Sequence, residues 1–361
     1  MIKYSVYIFI EGNDRMSIKI SEEQKKGAPA KRPVRVDRAV MPGPAYFVVI
    51  TVTVILLLSF LVAFFAVFAN QPSSSGDVET AETGNNVTPA KKSNYVSKSA
   101  ENVQMLDDIV DADNVILVEV GSNESIAEKA ADSKIYPASM TKVMSLLVAC
   151  EKLKNFNTKL TVEKKYIDYA YEVGGSQFGV KKGDVLSTQD LLYLTSYYSD
   201  TVAIMMLADH IAGSEEAFVK LMNAKAKAIG LKNTNFDNCT GLFSEDNYTT
   251  CREMAAIMAY ALENSRCKEL LTNINPYKIT IDKKPIYTLW SPSWYREKFS
   301  SNPRLDTVTV IAGKTGYIPE SGYCLVSCAK GTSSGKQYIE VVVGDNKASE
   351  DIKYVYNNFA N

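Results

Sequence analysis

Two kinds of hydrophobic pattern alternate along the C-terminal two-thirds of the chain. Continuous apolar runs of strand length occur at residues 114–120, 307–312, 323–329 and 338–344, and Gly, Asn and Ser turn signals bound them. Between the first run and the other three, apolar residues recur at helical spacing. One strand, a block of helices, three consecutive strands and a closing helix at 349–359 predict an α+β fold. We expect an antiparallel β-sheet flanked by helices, with a helical subdomain.

The helical block divides at its start and stop signals. Helices are predicted directly after Pro137, from Ser187, and over residues 201–211, 214–230 and 249–262. The 201–211 segment is apolar almost all round, so we expect it to be buried.

A different pattern precedes this domain. Residues 46–69 are almost entirely apolar and no charged residue occurs from 39 to 76, so the segment is long enough to cross a bilayer as a helix. Basic residues precede the span and none follows it directly, which predicts a cytoplasmic N-terminus and an extracytoplasmic remainder. A cleaved signal peptide is the alternative, but the apolar region is longer than a usual signal core.

The chain therefore divides into four predicted parts. Residues 1–45 form a basic cytoplasmic segment, residues 46–69 a transmembrane helix, residues 70–102 a flexible extracytoplasmic linker and residues 103–361 the folded domain. Within the first part, prolines and a glycine argue against a stable element (Pro29, Pro33, Pro42, Gly43).

Composition excludes several classes of function. With 40 Lys and Arg against 41 Asp and Glu, the chain has no general attraction for nucleic acid. Six Cys are too few for a disulfide scaffold and none has zinc-finger spacing, so we expect small apolar core residues. The single histidine, His210, excludes a multi-histidine metal site, and its place ahead of Gly213 is typical of a helix C-terminus.

Candidate chemistry is concentrated in residues 136–142, Tyr-Pro-Ala-Ser-Met-Thr-Lys, which run into an apolar segment. Ser139 and Lys142 are three residues apart, so on a helix they would share one face. A hydroxyl beside an amine at a helix start is a candidate activated nucleophile. Taken alone, the same spacing also fits an N-capping serine followed by a solvated lysine.

Two further motifs follow in order: Ser199-Asp200-Thr201 and Lys314-Thr315-Gly316. With the Ser139–Lys142 motif, they make the chain resemble the penicillin-recognising serine acyl-enzymes, whose signature is S-x-x-K, S-x-N, K-T-G. The resemblance is closest to the D-alanyl-D-alanine carboxypeptidases of peptidase family S11. Flanking stretches extend it over roughly residues 105–360.

The resemblance implies a role for each motif residue. Ser139 would be the nucleophile, and Lys142 the base, with a pKa lowered by its apolar neighbours. Ser199 would pass the proton to the leaving amine. The substrate-binding set would be Thr201, Lys314, Thr315, Gly316 and Tyr317. Within it, Lys314 would hold the free carboxylate, Thr315 would add a hydroxyl contact and Gly316 would admit the substrate backbone. The backbone N–H groups of Ser139 and Tyr317 would form the oxyanion hole.

One position departs from the family pattern. Thr201 stands where the family usually has Asn. Asn donates and accepts through two separate groups of its amide, whereas the Thr side chain is shorter and has a single hydroxyl for a substrate amide. We therefore expect reduced turnover or altered specificity. This departure leaves open a scaffold that binds penicillin without turnover. A β-lactamase is the other alternative. It needs a Glu-x-x-x-Asn element, and Glu269 and Asn273 have that spacing but lie far from the expected distance to the other motifs.

The resemblance also implies the partners. The substrate would be peptidoglycan stem peptides ending in D-Ala-D-Ala, and β-lactam antibiotics would act as inhibitors. No metal or other cofactor is implied. The membrane would be contacted through the N-terminal helix, and the oligomeric state is left open.

Overall fold

The computed structural model describes residues 4–11, 15–22, 94–282, 287–345 and 350–360. The chain divides into two units, residues 1–86 and 87–361. The first unit contains an antiparallel pair of strands, β1 (Tyr4–Glu11) and β2 (Arg15–Glu22). The sequence pattern predicted no stable element before residue 45, and this pair of strands corrects that prediction. The prolines on which the prediction rested lie outside the described residues.

The predicted membrane span, residues 46–69, also lies outside the described residues. Among the helices that the structure does describe, none combines the length and the apolar character needed to cross a bilayer.

The second unit is built on a six-stranded sheet. Its strands are β3 (Lys98–Met105), β4 (Asn114–Glu119), β5 (Glu124–Lys129), β10 (Val308–Ile318), β11 (Gly322–Gly331) and β12 (Gln337–Val343). Their order across the sheet is β10-β11-β12-β4-β5-β3. All neighbours are antiparallel except β3 and β5, which are parallel, so the predicted antiparallel sheet is in fact mixed.

Strand β3 also moves the start of the folded unit. The sequence placed the boundary at residue 103, but Tyr95 is already buried, donates a hydrogen bond to Glu263 (2.9 Å) and packs edge-on against Tyr260. Most side chains of β3 are exposed, so its sequence carries no apolar alternation. Residues 94–102 therefore belong to the folded unit, and residues 70–93 of the predicted linker lie outside the described residues.

Eight α-helices are described in this unit. They are α1 (Lys142–Lys152), α2 (Lys164–Glu172), α3 (Thr188–Tyr198), α4 (Thr201–Ala212), α5 (Glu215–Ala228), α6 (Cys251–Glu263), α7 (Ser265–Thr272) and α8 (Glu350–Phe359). Two short strand pairs join them: β6 (Lys159–Thr161) with β7 (Val185–Ser187), and β8 (Tyr277–Ile279) with β9 (Tyr287–Leu289).

The sheet separates two hydrophobic cores. Along β12, Ile339 and Val341 face the larger core, which contains α1, α4 and α6, whereas Tyr338 and Val342 face a smaller core closed by α8. Both faces of the strand are covered, and for this reason its sequence is a continuous apolar run.

Local signals explain where the central helices begin and end. Ser187 and Asp190 form a reciprocal capping box at the start of α3. Helix α4 is buried over most of its length, as predicted, and ends at Gly213 with φ +85°, three residues after His210. All six cysteines are buried free thiols, which confirms their assignment to the core.

Candidate active site

The Ser139 segment is a tight turn rather than a capped helix start. Residues Ala138–Thr141 form a 3₁₀ turn, α1 begins only at Lys142, and no side chain caps either element. Ala138 has φ +47°, a left-handed conformation that costs energy for any residue with a β-carbon. The surrounding structure must therefore hold this turn in place.

Two glycines provide that support. Gly241, itself at φ +77°, lies so close to Ala138 that a β-carbon there would overlap the Ala138 carbonyl oxygen. Gly316 approaches from the other side, and a β-carbon on it would be 3.1 Å from the Ser139 nitrogen. The third motif thus needs glycine in order to admit the Ser139 turn. The resemblance had attributed this glycine to approach of the substrate.

Lys142 lies directly beside the hydroxyl of Ser139. Its side chain is 1% exposed, and its Nζ lies 3.2 Å from Ser139 Oγ and donates to the carbonyl of Thr240. Burial lowers the pKa of Lys142 to about 8, although the charges of Cys239 and Asp200 act in the opposite direction. The pKa lowering agrees with the prediction, and roughly a tenth to a fifth of Lys142 is neutral near physiological pH, far more than for an ordinary lysine.

The loop that accepts from Lys142 is itself tightly bonded. Asn238 Oδ1 accepts hydrogen bonds from the backbone N–H groups of Thr240 (3.2 Å) and Gly241 (2.7 Å). One side chain therefore orients both the Thr240 carbonyl and the glycine that supports the nucleophile turn.

Ser199 occupies the junction between α3 and α4. It is the C-terminal residue of α3 in a left-handed conformation, φ +56°, and the next residue, Asp200, caps α4 by accepting from Ala203 N (2.7 Å). Asp200 also accepts from the Phe178 backbone N–H at 2.5 Å. The junction therefore holds Ser199 rigidly.

Lys314 lies on the opposite wall and binds Ser199. Its Nζ donates to Ser199 Oγ (3.0 Å) and to the carbonyl oxygen of Thr315 (2.9 Å). The side chain is 1% exposed, and burial together with the charge of Lys142 holds its pKa well below the usual lysine value. Thr315 shares a hydrogen bond with the hydroxyl of Ser293 (2.8 Å).

Thr201 takes no part in the cleft wall. It is 1% exposed, its backbone N–H donates to Ser176 (2.8 Å), and a β-carbon on Gly175 would overlap its hydroxyl. The residue is covered by the 174–176 loop, so the hydroxyl that the sequence assigned to substrate binding faces protein.

The open cleft between these elements has a volume of about 340 Å³. Five predicted residues line it: Ser139, Ser199, Thr315, Gly316 and Tyr317. Lys142 and Lys314 stand directly behind Ser139 and Ser199. The lining also includes Tyr198, which directly precedes the Ser199 motif and which the sequence suggested as a residue that narrows the cleft. The other lining residues lie outside the motifs and were not predicted, namely Gly174, Ser176, Ser293, Glu297, Lys298 and Tyr323.

Those additional residues come mostly from irregular segments. Ser293, Glu297 and Lys298 lie in or beside a π-helical turn, Trp294–Lys298, and Tyr323 is paired with Tyr317 across β10 and β11. Such turns have no apolar periodicity to predict them. The only sequence signal was proximity of the turn to the Lys314 motif.

The β-lactamase-like element does not reach the cleft. Glu269 lies on α7, where it accepts hydrogen bonds from Tyr193 (2.9 Å) and Arg266 (2.9 Å). It contributes nothing to the lining around Ser139, and the discounted alternative gains no support from its position.

The geometry is suited to acyl transfer. The Ser139 hydroxyl, beside a partly neutral amine, faces the hydroxyl of Ser199, which accepts from a second buried amine, and both hydroxyls open into one cleft.

Comparison with known proteins agrees with this arrangement. Residues 99–347 match the sequence family described as D-alanyl-D-alanine carboxypeptidase, peptidase S11. The D-alanyl-D-alanine carboxypeptidase DacF of Bacillus subtilis is 32% identical over 241 residues, which cover 66% of this chain and 59% of the relative. DacC of Escherichia coli is 34% identical over 244 residues, 65% of this chain and 57% of the relative. The chain thus spans less than three-fifths of these two relatives.

The fold is also similar to a solved structure. The crystal structure of the Streptomyces K15 DD-transpeptidase superposes with a TM-score of 0.61 at 27% identity, covering 70% of this chain and 97% of that one.

Proposed function

The chain belongs to the D-alanyl-D-alanine carboxypeptidase family, peptidase S11, and we propose that it removes the terminal D-alanine from peptidoglycan stem peptides through an acyl-enzyme on Ser139. The observation that carries the proposal is the 3.2 Å contact between Ser139 Oγ and the buried amine of Lys142. An amine with a pKa of about 8 beside a serine hydroxyl supports the roles of base and nucleophile, in a protein whose single histidine, on α4, does not line the cleft.

Acylation begins with that pair. Neutral Lys142 takes the hydroxyl proton as Ser139 Oγ attacks the carbonyl carbon of the penultimate D-alanine. Negative charge then develops on the carbonyl oxygen, where the backbone N–H groups of Ser139 and Tyr317 stabilise it. Close packing of Gly316 on the Ser139 nitrogen supports this role, because it brings both backbones to one point.

Departure of D-alanine uses the opposite wall. Ser199 donates its proton to the leaving nitrogen as the amide bond breaks and is reprotonated with the proton that Lys142 took from Ser139, which leaves Lys142 neutral again. The hydrogen bond from Lys314, 3.0 Å from Ser199 Oγ, orients the Ser199 hydroxyl for this transfer. Water then hydrolyses the ester on Ser139. β-Lactams would enter by the same attack and acylate Ser139.

We place this activity outside the cytoplasmic membrane, in cell-wall synthesis and remodelling. The support is the apolar span at residues 46–69 with basic residues before it, which would anchor the chain with its N-terminus in the cytoplasm. Cleavage after the span would instead release the domain.

The test is D-alanine release from diacetyl-Lys-D-Ala-D-Ala by the full-length protein in detergent. We expect release by the wild type, and loss of both release and labelling by fluorescent penicillin in Ser139→Ala. Ser133→Ala, an exposed serine nearby, is the matched control and retains both. Continued labelling of Ser139→Ala would exclude Ser139 as nucleophile, and rapid penicillin hydrolysis without D-alanine release would favour a β-lactamase.

A further inference from the structure

The cleft contains a lysine that no motif identified. Lys298 is the last residue of the π-helical turn and lines the cleft, yet its side chain is only 9% exposed. Its Nζ lies 4.6 Å from the ring centroid of Tyr323. Within the described part of the chain, this ammonium makes no hydrogen bond or ion pair.

The two motif lysines differ from Lys298 in this respect. Lys142 bonds Ser139 and Thr240, and Lys314 bonds Ser199 and Thr315, so each ammonium already has two oxygen partners. Neither belongs to the lining of the open cleft, whereas Lys298 does. Lys298 is thus the buried cation that is free to meet an anionic ligand.

A buried charge without a partner is unfavourable, because a ring face compensates only part of the lost hydration. Burial lowers the pKa of Lys298, against the raising effect of Glu297 and Asp345. Glu297 also lines the cleft but is exposed and lies beyond ion-pair distance of the lysine. A ligand carboxylate in the cleft would supply the missing partner.

Two hydroxyl groups in the same wall of the cleft are placed to bind the same carboxylate. Ser293, which precedes the turn of Lys298, shares its hydroxyl hydrogen bond with Thr315. That bond uses one hydroxyl proton, so the other is free to donate to a carboxylate. Tyr323, beneath the Lys298 ammonium, lies opposite Tyr317 and so places the cation beside the end of the Lys314 motif.

We propose that Lys298, together with the Ser293–Thr315 hydroxyl pair, binds the C-terminal carboxylate of the substrate peptide. This inference rests on the proposed carboxypeptidase function. It moves carboxylate recognition from Lys314 to Lys298 and leaves Lys314 as the partner of Ser199. Lys298 is then a specificity-determining residue for peptides with a free carboxyl end.

The experiment compares two substrates in four proteins. Diacetyl-Lys-D-Ala-D-Ala and its C-terminal amide differ only in the carboxylate. The proteins are the wild type, Lys298→Met, Lys298→Arg and the control Lys330→Met, an exposed lysine at the far end of β11.

For Lys298→Met we expect kcat/KM on the acid to fall about 10- to 100-fold, mainly through KM, as for loss of a charge-assisted hydrogen bond. The rate on the amide stays within about 3-fold, so the preference for the acid largely disappears. Lys298→Arg restores the preference, and Lys330→Met keeps it. If Lys298 had a merely structural role, Lys298→Met would lower kcat/KM for both substrates by the same factor. An unchanged ratio of kcat/KM for the acid to kcat/KM for the amide in Lys298→Met would overturn the proposal.

Failure of the proposed function has a different signature. If the wild type released no D-alanine from the acid, the carboxypeptidase assignment would fall. The role of Lys298 would then be decided by acylation of Ser139 with benzylpenicillin and with its methyl ester. The proposal is supported if Lys298→Met slows acylation by benzylpenicillin but not by its methyl ester. It is refuted if the variant and the wild type are acylated by benzylpenicillin at equal rates.

Discussion

The cleft and the opposite face of the sheet both bury ionisable side chains, but the two regions differ in the hydrogen-bond partners that they provide for them. In the cleft, Lys142 and Lys314 each have two oxygen partners that fix the direction of the amine. Beneath α8, Glu340 is 1% exposed and, among the described residues, neither of its carboxyl oxygens has a hydrogen-bond partner. Burial shifts the pKa in both places, down for the lysines and up for Glu340.

The difference shows what burial of a charge can and cannot provide. A shifted pKa assists chemistry only where neighbouring atoms aim the group at a reacting partner, as Lys142 is aimed at Ser139. Glu340 faces the smaller core beside the Ser327–Tyr356 hydroxyl bond and does not line the cleft that contains Ser139 and Ser199. Its burial is therefore a cost to stability.

The largest expected effect is that of replacing Lys142, whose amine is directed at Ser139. Lys142→Met removes the amine but retains an apolar side chain, so we expect kcat for D-alanine release to fall by about 10²–10⁴, the usual contribution of a general base. Single-turnover acylation by penicillin measures the same step. In the wild type its rate should rise with pH around the Lys142 pKa of about 8, because only the neutral amine accepts a proton.

The same variant changes the pH dependence of stability. Between the folded pKa of about 8 and the ordinary lysine value of 10.5, the unfolded chain holds a proton that the folded protein does not. The free energy of unfolding of the wild type therefore rises with pH across that window, and that of Lys142→Met should rise less, because only the contribution of Lys142 is lost. Lys152→Met, exposed at the end of α1, should behave as the wild type in both assays. Unchanged acylation by Lys142→Met would remove Lys142 as the base.

Arg252 is a buried charge whose hydrogen bonds compensate for its lost hydration. Arg252 on α6 donates to Asp132 (2.7 and 2.9 Å), Glu128 (2.9 Å) and Ser125 (3.0 Å). Burial alone would raise the pKa of Glu128, but hydrogen bonds from Arg252, Ser125 and Ser99 hold it below its usual value. Arg252→Met would leave Glu128 buried without its cation, so we expect a loss of about 3–5 kcal/mol in the free energy of unfolding.

Chemical denaturation would measure this loss. The double variant Arg252→Met with Glu128→Gln should recover part of it, because the orphaned charge is then absent. Equal stability of the wild type and Arg252→Met would show that the ion pairs contribute nothing, and the contrast with Glu340 would fail.

These regions differ in how far the sequence predicts them. The Ser139, Ser199 and Lys314 motifs predicted polar groups that the fold brings together at the cleft, and the capping signals at Ser187 and Gly213 predicted where α3 begins and α4 ends. Both kinds of inference depend on residue type at short spacing, which sequence displays directly.

Long-range contacts explain what sequence could not supply. The position of Thr201 behind Gly175 and the cleft position of Lys298 depend on loops folding over one another. The parallel pairing of β3 involves a strand with exposed, mixed side chains, so no alternation marked it. The structure therefore removes Thr201 from the cleft surface and adds Lys298 to it.

The smallest expected effect is that of replacing Glu340, whose carboxyl oxygens have no hydrogen-bond partner among the described residues. Burial, then the charges of Asp351 and Asp345, raise the pKa of Glu340 well above its ordinary value of 4.5. As pH rises past that value the unfolded chain releases this proton while the folded protein retains it, so stability falls with pH. Glu340→Gln abolishes this contribution, and we expect it to raise the free energy of unfolding by about 1–3 kcal/mol at neutral pH and by little near pH 4.

Urea denaturation at several pH values, with the exposed Glu350→Gln as control, measures the two slopes. A Glu340→Gln curve that runs parallel to that of the wild type would mean that Glu340 ionises as readily in the folded protein as in the unfolded chain. The back face of the sheet would then compensate its buried charge as effectively as the cleft does.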